Sequence, residues 1–292
     1  YSNANQDAST QQSQAESALT QGAKVLVLDA VDAASAGTIV AKAKAQSVPV
    51  ISYDRLITNA DVDYYVSFDN VGVGKLQATT LINKLKSAGK GSGTITMVNG
   101  APTDNNAKLF KQGALSVFNS SGIKIGKQYD TPDWSPDKAQ TEMQQAITAL
   151  GNNGFVGAYA ANDGTAGGVI AAMKSAGIDP AARPTTGQDA ELDAIQRILA
   201  GQQFMTVYKA VKPEAQKTAD IAVALAQKKA VPGGIVNQKV NNGKKDVPSV
   251  ILTPVAVTKA NVKDTVVKDG FWSASQICTS AFASACKAAG VS

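Results

Sequence analysis

The sequence predicts an α/β fold in which parallel sheets are covered by helices on both faces. As far as residue 208, short β-branched and apolar runs alternate with amphipathic segments of helical length. The strand-like runs are apolar throughout, as expected for strands with both faces buried. The length of 292 residues favours two lobes over one.

The elements follow from this alternation in chain order. The predicted strands are residues 24–28, 48–52, 64–68, 94–98, 124–129, 155–160, 185–187 and 204–208. The predicted helices begin near residue 8 and then occupy residues 33–46, 71–87, 105–119, 136–150, 164–176, 190–200 and 213–227. Asp7, Asp104 and Asp163 are the expected helix caps, and residues 235–249 indicate a hairpin or loop.

Composition removes several classes of function. The chain has no histidine, which excludes Ser-His-Asp and Cys-His mechanisms and the commonest transition-metal ligand. We therefore expect no metal site. The glycines at 89–93 precede a strand, whereas a phosphate loop follows one, and those at 72–74 lack the later glycine of the motif. Neither segment predicts a phosphate loop. We therefore expect no cofactor.

The net charge of +5 comes mostly from dispersed lysines, whereas a nucleic-acid surface favours clustered arginine. We therefore expect no nucleic-acid partner. No run approaches the roughly 20 apolar residues of a membrane span. The chain opens on polar residues, so a signal peptide, if the protein has one, has been removed.

The two cysteines, Cys278 and Cys286, lie close together near the end of the chain. A disulfide between them is the favoured interpretation and indicates an oxidising, exported location. Along one straight helix their α carbons would be about 12 Å apart, too far for a bridge, so we predict a bend between them. Two unpaired buried thiols are the alternative.

Polar side chains follow most of the predicted strands, at the edge where ligands bind in open α/β sheets. They include the acids Asp54, Asp104, Asp163 and Asp189, the amides Asn105, Asn106 and Asn162, the cations Arg55 and Lys209, and Trp134. Carboxylates and amides accept hydrogen bonds from hydroxyls, and a guanidinium donates in a fixed fork. An indole face suits the apolar face of a sugar ring. The set predicts a site for a neutral polyhydroxylated molecule.

Each of these residues also has an ordinary structural interpretation. Asp163 is as readily a helix cap as a ligand contact, and Asp54–Arg55 is by itself as readily a surface ion pair. Trp134 could be a packing anchor, and Trp272 is interpreted as one. The recurrence of polar groups at successive strand ends favours the binding site.

Several segments carry a resemblance to a known family. They include "VPVISYDRLI", "GAPTDNNAKLFKQGA", "DWSPDKA", "ANDGTAGGVI" and "TGQDAEL" with "MTVYK". The chain resembles the periplasmic sugar-binding proteins of ABC transporters, in the ribose/galactose group, and is most similar to the xylose-binding proteins. The resemblance implies two doubly wound lobes with three crossovers, near Asp69, Lys209 and Pro254, in the type I periplasmic-binding-protein fold.

The resemblance also implies lobe boundaries and site roles. One lobe would be residues 1–68 with 209–253, and the other residues 69–208 with 254–292. The residues implied to hold the sugar are Asp54 and Arg55 of the first lobe, the pair Asn105 and Asn106, Trp134, Asn162 and Asp189 of the second, and Lys209 at a crossover. The contact within the asparagine pair stays open. Family members begin with a further strand and helix that this sequence lacks, and a separate N-terminal fragment could complete the first lobe.

The function implied is the solute-binding component of an ABC importer, which binds xylose or a similar aldopentose or aldohexose and delivers it to a membrane permease. It would make or break no bond. The location implied is the periplasm, or the outside of a Gram-positive cell with a lipid anchor. The alternatives are the effector domain of a LacI-type transcriptional regulator and a carbohydrate enzyme using paired carboxylates such as Asp54 and Asp189.

Overall fold

The computed structural model describes residues 1–291. Their packing divides the chain into two compact units. Unit 1 comprises Tyr1–Asp69, Thr103–Asn106 and Ala210–Thr253, and unit 2 comprises Asn70–Pro102, Ala107–Lys209 and the chain from Pro254 onward. The lobes implied by the resemblance place residues 103–106 in the second lobe, and those lobe boundaries stay a prediction.

The secondary structure follows the predicted alternation. The strands are β1 (Leu26–Leu28), β2 (Val50–Tyr53), β3 (Tyr64–Phe68), β4 (Thr94–Asn99), β5 (Lys124–Asp130), β6 (Gly157–Ala160), β7 (Met205–Tyr208), β8 (Gln238–Asn241), β9 (Asp246–Leu252) and β10 (Val255–Thr258). The helices are α1 (Ala8–Thr20), α2 (Gly37–Ala45), α3 (Asn70–Ser87), α4 (Asn105–Phe118), α5 (Pro136–Leu150), α6 (Asp163–Ser175), α7 (Leu192–Leu199), α8 (Val211–Ala226), α9 (Ala274–Ile277) and α10 (Ala283–Ala288).

Unit 1 contains a five-stranded sheet in the order β1-β2-β3-β9-β8. The first four strands pair in parallel, and β8 pairs antiparallel with β9 as a hairpin. Successive residues of β2 point to opposite faces: Val50 packs with Ile39 and Val40 of α2, and Ile51 packs with Ile221 of α8. Both faces are therefore covered, which is why the strand begins with the successive apolar residues Val50 and Ile51.

Unit 2 has a parallel sheet in the order β5-β4-β6 and an antiparallel pair, β10-β7. The central strand β4 also serves two cores. Met97 packs with Leu81 of α3 on one face, and Val98 packs with Met143 of α5 and Val169 of α6 on the other. The predicted α/β class with parallel sheets is confirmed in both units.

Two glycines allow helices α3 and α4 to pack closely. A β carbon at Gly74 would overlap the carbonyl oxygen of Phe110, and one at Gly113 would overlap that of Val71. Backbones at this separation leave no room for a side chain. Gly74 therefore serves helix packing, which agrees with the rejection of the glycines at 72–74 as a phosphate loop.

Several predicted elements differ from the structure at their boundaries, and helix α2 begins at Gly37 rather than at residue 33. Residues 185–187 form no strand, only an isolated parallel bridge between Ala158 and Thr185. Helix α7 begins at Leu192 rather than at 190, because Asp189 and Ala190 have φ of 97° and 53°. A left-handed residue cannot continue a right-handed helix.

The predicted disulfide and bend are present near the end of the chain. Cys278 and Cys286 are bonded, with α carbons 5.8 Å apart. Helix α9 ends just before Cys278, and a short 3₁₀ turn, Ser280–Phe282, redirects the chain into α10. Within residues 1–291, no helix combines the length and apolar character that crossing a membrane requires.

Candidate functional site

Asp54 follows β2 in a left-handed conformation, with φ of 53°, which turns the chain sharply out of the sheet. Its backbone is held on both sides. The N–H donates to the carbonyl of Val66 at 2.8 Å, and the carbonyl accepts from Ser67 Oγ at 2.6 Å and Tyr65 Oη at 3.2 Å. Asp tolerates this conformation better than most residues. The backbone of Asp54 is thus held in a fixed turn at the end of β2.

Arg55 lies against two carboxylates and a carbonyl of unit 1. Its Nε is 3.0 Å from Asp104 Oδ2 and 3.5 Å from Asp29 Oδ1, and Nη1 donates to the carbonyl of Ala30 at 3.3 Å. The Arg55 side chain is 17% exposed and that of Asp104 only 3%. Among residues 1–291, Nη2 meets no hydrogen-bond acceptor, so one arm of the fork remains for a further acceptor.

Asp29 and Asp104 hold Arg55 in place, a role that the sequence analysis assigns to neither residue. Asp29 directly follows β1, as Asp54 follows β2, and that repetition was the available signal. Asp104 is a helix cap as predicted, because its Oδ1 accepts from the N–H of Asn106 at 2.8 Å. Its other oxygen binds Arg55, a contact between residues 49 positions apart that periodicity does not report.

Of the asparagine pair, Asn106 is buried and Asn105 is partly exposed at the start of α4. Asn106 Nδ2 donates to the carbonyl of Asp54 at 3.0 Å. The structure therefore brings Asp54, Arg55 and Asn106 together within unit 1, through Asp104 and the Asp54 carbonyl.

Trp134 lies in a short 3₁₀ turn of unit 2, Pro132–Trp134, at the end of β5. Asp133 and Trp134 both have left-handed φ, 59° and 56°. Such a conformation is strained for a bulky residue, and strain of this kind concentrates at functional sites. The indole meets Phe110 edge-on, with ring centroids 6.3 Å apart. It lies over Gly100, where a methyl group would overlap the ring.

Asn162 is the N-cap of α6 rather than Asp163, which corrects the predicted cap. Its Oδ1 accepts from the N–H of Thr165 at 2.9 Å, and Thr165 Oγ1 returns a bond to the Asn162 N–H at 3.2 Å. This capping box fixes the side chain. Asn162 Nδ2 donates to no group among residues 1–291, so one donor of the amide remains for a ligand.

Asp189 and Lys209 form an ion pair within unit 2, with Lys209 Nζ 3.1 Å from Asp189 Oδ1. Lys209 follows β7 and also lies 5.9 Å from the centre of the Phe110 ring. Phe110 thus touches both Trp134 and Lys209. Within unit 2 the structure brings together three of the predicted site residues, Trp134, Asp189 and Lys209.

Asp163 is fully buried beside this group. It accepts from Gln203 Nε2 at 2.7 Å, from Thr206 Oγ1 at 2.8 Å and from the N–H of Glu191 at 3.0 Å. Burial raises the pKa of Asp163 well above its usual range, and the charge of Asp189 adds to this, while the three donors oppose it. Asp163 therefore ties α6, β7 and the turn at Asp189 together.

The carboxyl group of Glu191, close to Asp189, makes the folding stability depend on pH. Partial burial raises the pKa of Glu191 from 4.5 to about 7, and the carboxylates of Asp189 and Asp193 add to the shift. The folded chain therefore binds this proton more tightly than the unfolded chain. The resulting stability is complete below pH 4.5 and is lost as the pH rises through about 7.

We expect Glu191→Gln to be more stable than the parent at pH 8, by about 1 kcal/mol after allowance for solvent screening. At pH 4.5 the two proteins should be equally stable. Urea unfolding at both pH values measures this. Glu16→Gln is the control, because Glu16 is paired with Lys42 and its pKa is lowered, so no gain at pH 8 is expected. Equal gains in both variants would show that Glu191 is not the cause.

Residues 1–291 hold no cluster of three His, Cys, Asp or Glu side chains placed to bind a metal ion. Of the acids in the enzyme alternative, Asp189 forms an ion pair with Lys209, and Asp54 is held through its backbone carbonyl by Asn106.

Comparison with known proteins identifies the family. The model of the periplasmic binding protein domain matches residues 1–230. The D-xylose-binding periplasmic protein of Haemophilus influenzae is 41% identical over 272 residues, covering 92% of this chain and 79% of that protein. The protein of the same name from Escherichia coli is 40% identical over 278 residues, covering 94% and 81%.

A solved structure agrees. The carbohydrate transporter solute-binding protein of Chloroflexus aurantiacus, in complex with D-glucose, superimposes with a TM-score of 0.85 at 32% identity, covering 93% of this chain and 86% of that one. The fold, the extent of the family match and the identity to two named relatives all agree, and the chain belongs to the periplasmic binding protein family.

Proposed function

We propose that this protein is the solute-binding component of an ABC importer and binds a monosaccharide, D-xylose in the first place. The observation that carries the proposal is the pair Asp54–Arg55, held in a fixed geometry by Asp104 and Asn106. It offers an acceptor and a forked donor side by side, as adjacent sugar hydroxyls require. The names of the two relatives at 40–41% identity supply the choice of xylose.

Each predicted site residue has a role in this proposal. Asp54 and Arg55 bind hydroxyls from unit 1, together with Asn105 or Asn106. Asp189, Asn162 and Lys209 bind hydroxyls from unit 2, and Trp134 covers the apolar face of the ring. Preorganisation supports these roles, because side chains already fixed by hydrogen bonds lose little entropy when the ligand binds.

We propose that binding works by closure of the two predicted lobes about crossovers near Asp69, Lys209 and Pro254. A ligand that contacts both lobes favours the closed state by its differential contacts. The permease then recognises the closed, loaded protein. No bond is made or broken, in agreement with relatives that are named as binding proteins.

The proposal includes export. The relatives are named periplasmic, and a disulfide persists in an oxidising compartment. The names give no support to a lipid anchor, and that part of the localisation stays a prediction. The same holds for a separate N-terminal fragment. Its place would be beside β1, an edge strand that pairs only with β2 among the described residues and exposes Val27.

Calorimetry of the full-length exported protein with xylose, glucose, ribose and arabinose tests the proposal. We expect micromolar or tighter binding of xylose and weaker binding of the others. Tighter binding of glucose would keep the transport function and reject xylose as the ligand. Binding of none of the four sugars would reject the sugar assignment, and turnover of any sugar would support the enzyme alternative.

A further inference from the structure

The C-terminal segment that carries the disulfide is packed onto unit 2 beside the Asp189 turn. Trp272 Nε1 donates to the carbonyl of Ala190 at 2.7 Å. Further along, Gln196 Nε2 of α7 donates to the carbonyl of Ile277 at 3.1 Å. Ile277 and Cys286 are fully buried. The segment is therefore a fixed part of unit 2, and its first contact is with the neighbour of a proposed sugar-binding residue.

The turn that carries Asp189 needs such support. Asp189 and Ala190 are adjacent residues with positive φ, and neither is glycine. Such a backbone is unfavourable and persists only when the surrounding structure imposes it. The Asp189 N–H donates to the carbonyl of Val207 at 2.8 Å, and the Ala190 N–H donates to Thr206 Oγ1 at 3.2 Å. The carbonyl of Ala190 is bound by Trp272.

The same segment also supports Lys209, the partner of Asp189. Phe271 packs on Tyr208, with ring centroids 5.1 Å apart, and on Trp272, with centroids 5.3 Å apart. Tyr208 is the residue before Lys209, and Ala190 is the residue after Asp189. Phe271 thus contacts the residue before Lys209, and Trp272 contacts the residue after Asp189.

We propose that Trp272 is a positioning residue, which sets the geometry of the Asp189–Lys209 pair through Ala190 and so determines sugar affinity without touching the sugar. The inference rests on the proposed function and deepens it. The indole N–H selects the left-handed turn that aims the Asp189 carboxylate, and Phe271 fixes the strand end that presents Lys209. The disulfide-bonded segment is then part of the binding apparatus rather than an appendage.

Trp272→Phe tests this, because phenylalanine retains the ring contact and removes the donor. We expect sugar affinity, measured by calorimetry, to fall about tenfold. The decisive measurement is a double-mutant cycle with Asp189→Asn. If Trp272 acts through Asp189, the loss caused by Trp272→Phe should shrink to about twofold or less in the Asp189→Asn background. An equal loss in both backgrounds would overturn the proposal, as would unchanged affinity in the single variant.

Two further variants separate positioning from general stability. Asn152→Ala also removes a side-chain donor to a backbone carbonyl, that of Ala176, before β6 begins, and should leave affinity unchanged. Phe271→Leu should lower sugar affinity, and this loss should be smaller in the Lys209→Met background. Additive losses of affinity in the two variants would count against the proposal, even if Trp272→Phe folded poorly. If the parent protein binds no monosaccharide, the proposed function fails first; if it binds and these variants bind equally well, the inference alone fails.

Discussion

Replacing Arg55 by alanine is expected to lower the affinity for xylose roughly ten- to hundredfold. The guanidinium is the forked donor of unit 1, and hydrogen bonds to a charged group contribute about 1.5–3 kcal/mol. Arg55→Lys should recover only part of the loss, since a single ammonium group cannot reproduce the planar fork. Calorimetry with the parent and both variants measures these effects.

The same change also affects folding, because Arg55 is an ion-pair partner of Asp104. The Asp104 carboxylate is buried, and removing a cation from a buried pair leaves a charge poorly compensated. A lower melting temperature of the ligand-free protein is therefore expected for Arg55→Ala. Asp54→Asn separates the two effects: asparagine tolerates the left-handed φ of 53°, so affinity should fall with little change in melting temperature.

Arg183→Ala is the matched control. Arg183 is partly buried and donates to the carbonyl of Asn152 at 3.3 Å and to Asn153 Oδ1 at 3.4 Å, away from the proposed binding residues. Its replacement should leave xylose binding unchanged. Equal affinity of the Arg55→Ala variant and the parent would remove Arg55 from the site.

Much of the fold was predictable because strands such as β4 and β6 are buried on both faces and therefore form short apolar runs between helical segments. Helix α5 was predictable as well: Ser135 caps it, Pro136 opens it and Gly151 ends it, and all three signals are local. Helix α7 shows the limit. Its apolar pattern extends back to Ala190, but the left-handed backbone at Asp189 and Ala190 is imposed by Thr206, Trp272 and other distant residues.

The candidate site divides in the same way. That Asp54 and Arg55 stand at a strand end follows from the sequence, because the end of an apolar run is a local feature. The contacts of Asp104 and Asn106 with these two residues do not follow from the sequence, because they join segments about 50 positions apart. The sequence indicates only a packing anchor at Trp272, and the fold shows that its N–H donates to the carbonyl of Ala190.

The proposed stacking of the sugar on Trp134 can be tested by a substitution at Gly100, which leaves the indole itself unchanged. A β carbon at Gly100 would overlap the six-membered ring of Trp134, so Gly100→Ala should displace the indole while leaving its chemistry intact. We expect xylose affinity to fall at least about tenfold, or about 1.4 kcal/mol. Overpacking should also cost about 1–3 kcal/mol of folding stability. Calorimetry and urea unfolding measure the two losses separately.

Gly167→Ala provides the same substitution without the collision. Gly167 lies inside α6, where a β carbon would come no closer than 3.6 Å to Arg197 Nη1, and alanine in a helix interior should add about 0.5–1 kcal/mol of stability. Its xylose affinity should equal that of the parent. If Gly100→Ala also binds xylose with parental affinity, the sugar does not stack on Trp134, because the ring cannot keep its place beside the new methyl group. A loss shared by Gly100→Ala and Trp134→Ala, but absent from Gly167→Ala, would support the stacking role.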